Sequence, residues 1–268
     1  MSHPSLFESV WLKLDRMQLH LDELHREFDA YRDRQPIDWG DPEIDTSAKV
    51  ATYYVHIHEE PKVQWGTILG DCVQNLRSSL DYLIYALSAA PDGGPPPNAD
   101  ICAFPITRDR TDFDSKRTQR RIAELDSKAQ SLVRWWQPYR RGAAYARHPL
   151  WLLRELSDWD KHRLLLVATT VATSSTVNLS VPAKGLRFWL RTEPLEDGAP
   201  VAKLDFSKAQ TELFGGGATT EVEVNAVFGY GLSFLNGPAA GDGITYLLEE
   251  ELIPFVRDRI VPSFRRFF

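Results

Sequence analysis

Residues 75–87, NLRSSLDYLIYAL, combine an apolar helical stripe with a pair of opposite charges, and this combination decides the fold. Apolar side chains recur there every three or four residues, the spacing of a helix face that packs against a core. Arg77 and Asp81 are one turn apart on the same helix and can pair. An exposed pair of this kind contributes only about 0.3–0.5 kcal/mol. A partly buried pair needs additional donors and acceptors, and Asn75 is a candidate for that role.

Helical periodicity extends to both sides of this stretch and predicts about four principal helices in a bundle, with one more at the C-terminus. Ser5 and Glu8 have the spacing of a capping box, so the first helix is expected to begin there. Proline is favoured at the first position of a helix, which makes Pro149 another expected start. The predicted helices cover residues 5–34, 63–88, 116–136, 149–169 and 244–267.

The C-terminal part of the chain is instead rich in β-branched and aromatic residues. Four consecutive segments of this kind predict an antiparallel sheet, and one earlier segment predicts a strand within the helical part. The strands are expected at residues 49–60, 171–181, 185–193, 200–206 and 219–230. The fold class is therefore α+β: a helical bundle of about four helices, then a mostly antiparallel β-region and a C-terminal helix. We expect residues 1–170 and 171–268 to form these two parts, packed as one compact unit.

The composition indicates a globular protein, since 43% of the residues are hydrophobic and the formal net charge is −6. The chain lacks the run of roughly 18 apolar residues that a membrane span needs, and its first residues lack a signal-peptide pattern. We therefore expect a cytoplasmic protein with no membrane partner. Cys72 and Cys102 are too few for a disulfide framework and are interpreted as structural thiols.

Charge is distributed unevenly along the chain. Residues 1–60 hold 6 basic and 13 acidic side chains, whereas residues 108–163 hold 14 basic and 8 acidic ones. A cationic surface on the second segment could bind RNA, a nucleotide or an acidic partner. It could equally pair with the acidic N-terminal helix of the same molecule.

A second polar motif, LLRELSDWDKHRLLL, covers residues 152–166 on the fourth predicted helix. His162 is expected beside carboxylates, which would raise its pKa, and beside Trp159, whose apolar ring would lower it. The other polar residues of interest in this motif are Glu155, Asp158, Asp160, Lys161 and Arg163.

The segments NLRSSLDYL, FPI and LSDWDKHRLL, in this order, resemble a bacterial family of uncharacterised proteins whose members commonly carry LRSALDH and DKHR in these places. The resemblance extends from the first predicted helix to the last and implies no established activity. The chain is more distantly similar to the HEPN superfamily (higher eukaryote and prokaryote nucleotide-binding proteins). These are helical bundles in which an arginine and a nearby histidine form a metal-independent ribonuclease site across a dimer. That likeness implies a nucleotide or RNA partner, a homodimer and no cofactor.

The chain departs from the HEPN pattern at Tyr82, which stands where the pattern has histidine. A phenol with a pKa near 10 is a poor general base at neutral pH. His162, on a neighbouring helix, could supply the missing imidazole. Arg77 would then stabilise the charge that develops on the scissile phosphate, and Asn75 would position that phosphate. This arrangement requires the second and fourth predicted helices to lie side by side.

Two non-catalytic interpretations remain open. In one, the 108–163 segment binds RNA, a nucleotide or an acidic partner without reaction. In the other, the protein is structural or regulatory, and its Arg, Asp and His motifs form a buried network that fixes helix register, with Asp81 or Asp160 bridging arginines. His56 and His58 have a spacing compatible with metal ligands, but two imidazoles do not complete a site, so no metal is predicted.

Overall fold

The structure is a computed structural model that describes residues 6–89, 94–171, 176–179, 183–208, 210–211, 224–227 and 229–268. It contains helices and antiparallel strands, which confirms the predicted α+β class. The chain forms two compact units: one from residues up to 27, 63–166 and 236–268, and the other from residues 28–62 and 167–235. Each unit is discontinuous in sequence, which differs from the predicted division at residue 170. The predicted capping residue Ser5 lies outside the described residues.

The first unit is helical, and its two longest helices begin and end within two residues of the predicted positions. A 3₁₀ segment, Pro138–Arg147, precedes its sixth helix. The helices are α1 (Leu6–Arg32, whose C-terminal end belongs to the second unit), α2 (Trp65–Ser88), α3 (Arg110–Phe113), α4 (Lys116–Arg120), α5 (Ser127–Trp135), α6 (Pro149–Asp160) and α7 (Val261–Ser263).

The single helix predicted at 116–136 is wrong, because two separate helices, α4 and α5, occupy that stretch. Asp126 accepts a hydrogen bond from the backbone N–H of Lys128 at 2.8 Å and so begins α5. Ser115 does the same for α4, accepting from Thr118 N at 3.2 Å. Serine and aspartate favour helix starts because they satisfy amides that have no partner within the helix. The basic segment is consequently divided into short helices.

The fourth predicted helix starts at Pro149 as expected but ends at Asp160 rather than Thr169. Residues Val167–Val171 form a strand instead, in keeping with the strand preference of valine and threonine. The predicted C-terminal helix is present as a helical stretch whose parts Tyr246–Leu252 and Phe255–Ile260 have the wider π-type hydrogen bonding. Pro254 directly precedes the second of these parts.

Four long helical elements, α1, α2, α6 and the C-terminal stretch, pack around the core of the first unit. Cys72 Sγ lies 3.8 Å from Met17 O and joins α2 to α1. His25 Nε2 lies 2.8 Å from Glu249 Oε1 and joins α1 to the C-terminal stretch. Among the described residues, every helix is too short or too polar to cross a bilayer. The buried side chains include Leu14, Leu21, Leu69, Leu76, Leu80, Leu153, Leu252 and Phe264.

The second unit consists mainly of antiparallel strands, as predicted for this part of the chain. In its four-stranded sheet the order is β2-β3-β9-β8, and the other strands form the pairs β1-β4, β5-β12, β6-β11 and β7-β10. The strands are β1 (Ile37–Asp38), β2 (Glu43–Asp45), β3 (Val50–Tyr54), β4 (His56–Ile57), β5 (Val167–Val171), β6 (Thr176–Leu179), β7 (Ala183–Lys184), β8 (Arg187–Leu190), β9 (Pro200–Asp205), β10 (Gln210–Thr211), β11 (Val224–Val227) and β12 (Tyr230–Phe234). Parts of the predicted strands 171–181 and 219–230 lie outside the described residues.

Strand β3 explains why the unit boundaries depart from the prediction. It pairs with β9, with Val50 opposite Asp205 at one end and Tyr53 opposite Ala202 at the other. A strand from the N-terminal part of the chain therefore belongs to the sheet formed by the C-terminal part. Buried and half-buried residues alternate along β3, as expected for a strand with one covered face. The core of the unit contains Ile37, Ala51, Tyr53, Val55, Leu195, Val201, Ala202 and Leu204.

Candidate anion-binding site

Helices α2 and α6 lie side by side, as predicted. Gln74 Nε2 on α2 donates to Ser157 O at 2.9 Å and to Asp160 Oδ2 at 3.1 Å. The Ser157 hydroxyl donates in return to Gln74 Oε1 at 3.0 Å. Gly70 permits this close approach, because a Cβ at that position would lie only 2.8 Å from Asp160 Cγ. The two polar sequence motifs therefore belong to neighbouring helices.

Arg77 and Asp81 together hold the backbone of Phe104, the first residue of the FPI segment. Arg77 Nη2 donates to Phe104 O at 2.9 Å and lies 3.0 Å from Asp81 Oδ1, which accepts from Phe104 N at 2.8 Å. Phe104 is fully buried and belongs to no described strand, so its peptide groups need side-chain partners. The ion pair in α2 therefore serves a buried, extended segment.

Two further side chains complete the support of this segment. The buried Gln137 donates from Nε2 to Pro105 O at 2.8 Å, and its Oε1 accepts from Thr107 N at 3.1 Å. Arg154 on α6 donates from Nη1 to Ile106 O at 2.8 Å. Residues 104–107 are thus bound to α2, to α6 and to the end of α5, and we call them the FPI wall.

A cavity of about 920 Å³ adjoins this wall. Seven cationic side chains line it, against three acidic ones, Asp100, Asp112 and Asp158. Asp81 and Gln137 are not among the residues that line the cavity. They support the FPI wall instead. An excess of positive charge in a concave site attracts anions and raises their local concentration. The cationic lining residues are Arg77, Lys116, Arg117, Arg120, Arg121, Arg154 and Lys161.

The pKa values of two charged groups at this site reflect crowding and burial. Burial raises the pKa of Asp81, while the Arg77 guanidinium acts in the opposite direction. Burial lowers the pKa of Arg121, the charges of Arg117, Arg77 and Arg154 lower it further, and the Asp81 carboxylate acts in the opposite direction. Like charges held close together repel one another, and a bound anion would relieve that repulsion.

The cationic groups differ in how fully they are already paired. Arg77 is held by Asp81 and Phe104, yet its Nη1 atom is buried and has no hydrogen-bond partner in the described part of the chain. Arg154 and Lys161 share Asp158, at 3.5 and 3.0 Å. The four cationic residues of the 116–121 stretch, in contrast, have neither an ion pair nor a side-chain hydrogen bond among the described residues. Their charge is available to a ligand.

Two of the predicted site residues in the second motif line the cavity, and two others make contacts elsewhere. Asp158 and Lys161 line it. Asp160 instead accepts a hydrogen bond from Gln74 and does not bridge arginines in the described structure. The Arg163 guanidinium lies 4.6 Å from the centre of the Trp159 ring, a cation–π contact.

The remaining predicted site residues lie away from the cavity lining. His162 is exposed in the turn after α6, where its backbone N–H donates to Trp159 O at 3.1 Å. Asn75 Nδ2 donates to Asp71 O within α2 at 2.8 Å. Tyr82 is exposed, and Lys13 Nζ of α1 lies 5.3 Å from its ring centre. The structure therefore brings Arg77 to the cavity without the imidazole and the amide that were expected beside it.

Cys102 also lines the cavity, whereas Cys72 is buried in the core. Burial raises the pKa of the Cys102 thiol, so at neutral pH it is protonated and weakly nucleophilic.

His56 and His58 lie in the second unit, at and next to β4. His58 Nε2 is 2.7 Å from Asp38 Oδ2. Across the described residues there is no group of three or more His, Cys, Asp or Glu side chains that could hold a metal ion.

Sequence reasoning missed Arg121, Arg154 and Gln137 as individual site residues. The run SKRTQRR signalled the first of them only as part of a charged segment, and nothing local marks a buried glutamine as a backbone ligand. The fold and site define an α+β protein with a cationic cavity in its helical unit. Comparison with protein-family models, with curated proteins and with solved structures finds no match to this chain.

Proposed function

We propose that this protein binds the phosphate groups of a nucleotide or of RNA in the cationic cavity, in the cytoplasm, without cleaving them. The observation that carries the proposal is the concentration of seven cationic side chains around one cavity beside three acidic ones. Guanidinium groups match the geometry of phosphate oxygens and remain charged at all physiological pH values. The predicted likeness to HEPN proteins points to the same ligand class.

The rigidity of the FPI wall supports this proposal. Arg77 and Arg154 each donate to a wall carbonyl, and Asp81 and Gln137 hold the wall from the other side. Side chains fixed in this way lose little conformational entropy when a ligand binds. Arg77 also lines the cavity, so its positive charge acts on a phosphate bound there.

Binding is favoured over hydrolysis because no imidazole is among the described residues that line the cavity. The imidazole that the ribonuclease mechanism would use for proton transfer is therefore not found in that lining. Ligand binding is favoured over a purely structural role by four cationic residues that take no part in the wall contacts: Lys116, Arg117, Arg120 and Arg121.

A purely structural role is the second candidate function. It is favoured by the hydrogen bonds from Arg77 and to Asp81 that hold the backbone of Phe104. Arg77 would matter for both phosphate binding and a structural role, because it lines the cavity and also holds the FPI wall. Arg121 lines the cavity but does not hold the wall, so a substitution of Arg121 can distinguish phosphate binding from a purely structural role.

The test is to substitute Arg121→Gln and measure binding of pyrophosphate and of a labelled single-stranded RNA. We expect binding to weaken by roughly 10- to 150-fold, as for the loss of a charged hydrogen bond of about 1.5–3 kcal/mol. The thermal stability should change little, because Arg121 is half-buried, makes no ion pair or side-chain hydrogen bond among the described residues, and is repelled by Arg117, Arg77 and Arg154 while it is attracted by Asp81. The matched control is Arg26→Gln, which removes the same charge from an exposed position on α1.

A second readout uses the two thiols. Cys102 lines the cavity and Cys72 is about 1% exposed, so a maleimide should label only the former in the folded protein. Pyrophosphate should slow this labelling in the wild type and in the Arg26→Gln protein. Equal binding by the Arg121→Gln and Arg26→Gln proteins would overturn the proposal. RNA cleavage in the presence of a chelator, lost in a His162→Ala protein, would establish the ribonuclease instead.

A further inference from the structure

A second cavity, of about 410 Å³, adjoins the cationic one. Its lining is Arg108, Asp109, Asp112, Trp151, Arg154 and Glu155. Asp112 and Arg154 line both cavities, so a single ligand can extend from one into the other. The first cavity supplies positive charge, whereas the second supplies an aromatic ring and carboxylates.

The aromatic part of the second cavity is held in place by its neighbours. The Arg154 guanidinium lies 4.9 Å from the centre of the Trp151 ring, and the Tyr145 ring meets that indole edge-on at 5.3 Å. A planar heterocycle can stack on an indole or on a guanidinium plane. Because Arg154 lines both cavities, it lies between the positions of the phosphates and of the base of one extended ligand.

The carboxylates of this cavity are not equally available. Asp109 accepts from Asp112 N at 2.7 Å as the cap of α3, and its other oxygen lies 3.7 Å from Arg108 Nε. Glu155 is half-buried and has no ion pair or side-chain hydrogen bond among the described residues. Glu155 can therefore accept hydrogen bonds from a ligand without giving up a protein contact.

We infer that the ligand is a guanine nucleotide, with its phosphates in the cationic cavity and its base in the second cavity against Trp151 and Glu155. The inference rests on the proposed function, because the phosphates anchor the base. Guanine presents two adjacent N–H donors, N1–H and the 2-amino group, and one carboxylate can accept from both. Adenine offers a single donor group on its Watson–Crick edge beside an acceptor, which a carboxylate repels.

Calorimetric titration of GDP, ADP and pyrophosphate against the wild-type protein tests this assignment. GDP and ADP carry the same phosphates, so their difference in affinity isolates the base. We expect GDP to bind at least roughly 10-fold more tightly than ADP, which is within the range for one bidentate contact to a base.

Two substitutions sharpen the test. Glu155→Gln replaces one acceptor oxygen with a donor, so the preference for GDP over ADP should collapse while pyrophosphate binding stays unchanged. Trp151→Phe, which retains an aromatic ring, should weaken both nucleotides by a few-fold and remove the nucleotide-induced change in tryptophan fluorescence. Far-UV circular dichroism of both proteins confirms that they are folded.

The outcomes separate this inference from the proposed function. Equal affinity for GDP and ADP, with pyrophosphate still bound through Arg121, would overturn the guanine assignment and leave phosphate binding intact. A preference for GDP that persists in the Glu155→Gln protein would also overturn it. Failure of the wild type to bind pyrophosphate, GDP and ADP alike would overturn both.

Discussion

Replacing Gly66 with alanine should destabilise the helical unit far more than replacing Gly70, although the two glycines are one turn apart on α2. A Cβ at Gly66 would overlap the backbone carbonyl oxygen of Leu165 and lie 3.1 Å from Leu164 Cδ1. A Cβ at Gly70 would meet only the carboxylate of Asp160, with Cγ at 2.8 Å. Backbone cannot rotate out of the way, whereas a side chain can.

The expected magnitudes follow from opposing contributions. At Gly70 the substitution gains about 1 kcal/mol from the better helix propensity of alanine, and at Gly66, the second residue of α2, it gains less. At Gly66 the chain segment that must move is fixed by Asn236, which donates to Leu164 O at 3.0 Å and accepts from Leu166 N at 2.9 Å. Overpacking of this kind costs about 3 kcal/mol or more, so the net loss at Gly66 is about 2 kcal/mol or more.

At Gly70 the Asp160 side chain can turn away at the cost of its hydrogen bond with Gln74, about 1 kcal/mol, so the net change is near zero. Urea unfolding of the Gly66→Ala and Gly70→Ala proteins, followed by circular dichroism, measures both values. Each protein is the control for the other, because both replace a glycine of α2 with alanine. If the two midpoints coincide within error, the packing of α2 against residues 164–165 is not as described.

Three other predictions concern the wall and its surroundings. Asp81→Ala removes the acceptor of the Phe104 N–H and the counter-ion of Arg77, which keeps its hydrogen bond to Phe104 O, and should cost about 1–3 kcal/mol in urea unfolding. Asp81→Asn keeps an acceptor and should cost less, so equal losses would argue against Asp81 as the acceptor of the Phe104 N–H. Gln137→Glu, of nearly the same shape, should lower the thermal midpoint because a carboxylate cannot donate to Pro105 O, and an unchanged midpoint would show that this donation contributes little. Burial lowers the pKa of His148 to about 4 from its usual 6.5, so the unfolded chain takes up the proton first as the pH falls. The contribution of His148 to the free energy of unfolding is therefore complete above about pH 6.5 and is lost towards pH 4, by about 1–2 kcal/mol at pH 5. His148→Asn, which can still cap α6, should flatten this part of the stability profile. An unaltered profile would show that His148 is not the group responsible.

The regular parts of the fold were predictable because their signals are local. The apolar spacing in α2 depends only on the sequence of that helix, and the structure places it at Trp65–Ser88, within two residues of the prediction. The same holds for the i, i+4 relation of Arg77 and Asp81, whose side chains lie 3.0 Å apart. The start of the helix in the basic segment was predicted, since α4 begins at Lys116, but its interruption was not, because Asp126 as a cap competes with continuation of a longer helix.

The candidate site was predictable only in part. The sequence singled out Arg77, Asp158 and Lys161, all of which reach the cavity. It also paired Arg77 with His162 on the assumption that α6 continues through the DKHR motif. Because α6 ends at Asp160, the helical phase on which that expectation depended no longer applies to His162.

By itself, therefore, the sequence determined the α+β class, the long helices and the pairing of Arg77 with Asp81. Tertiary structure alone decided that this pair binds the Phe104 backbone, that β3 joins β9, and that Arg121 and Arg154 meet at one cavity. The physical reason is the range of the interactions involved. Periodicity and capping act over a few residues, whereas the partner of a buried peptide group is set by which surfaces pack together.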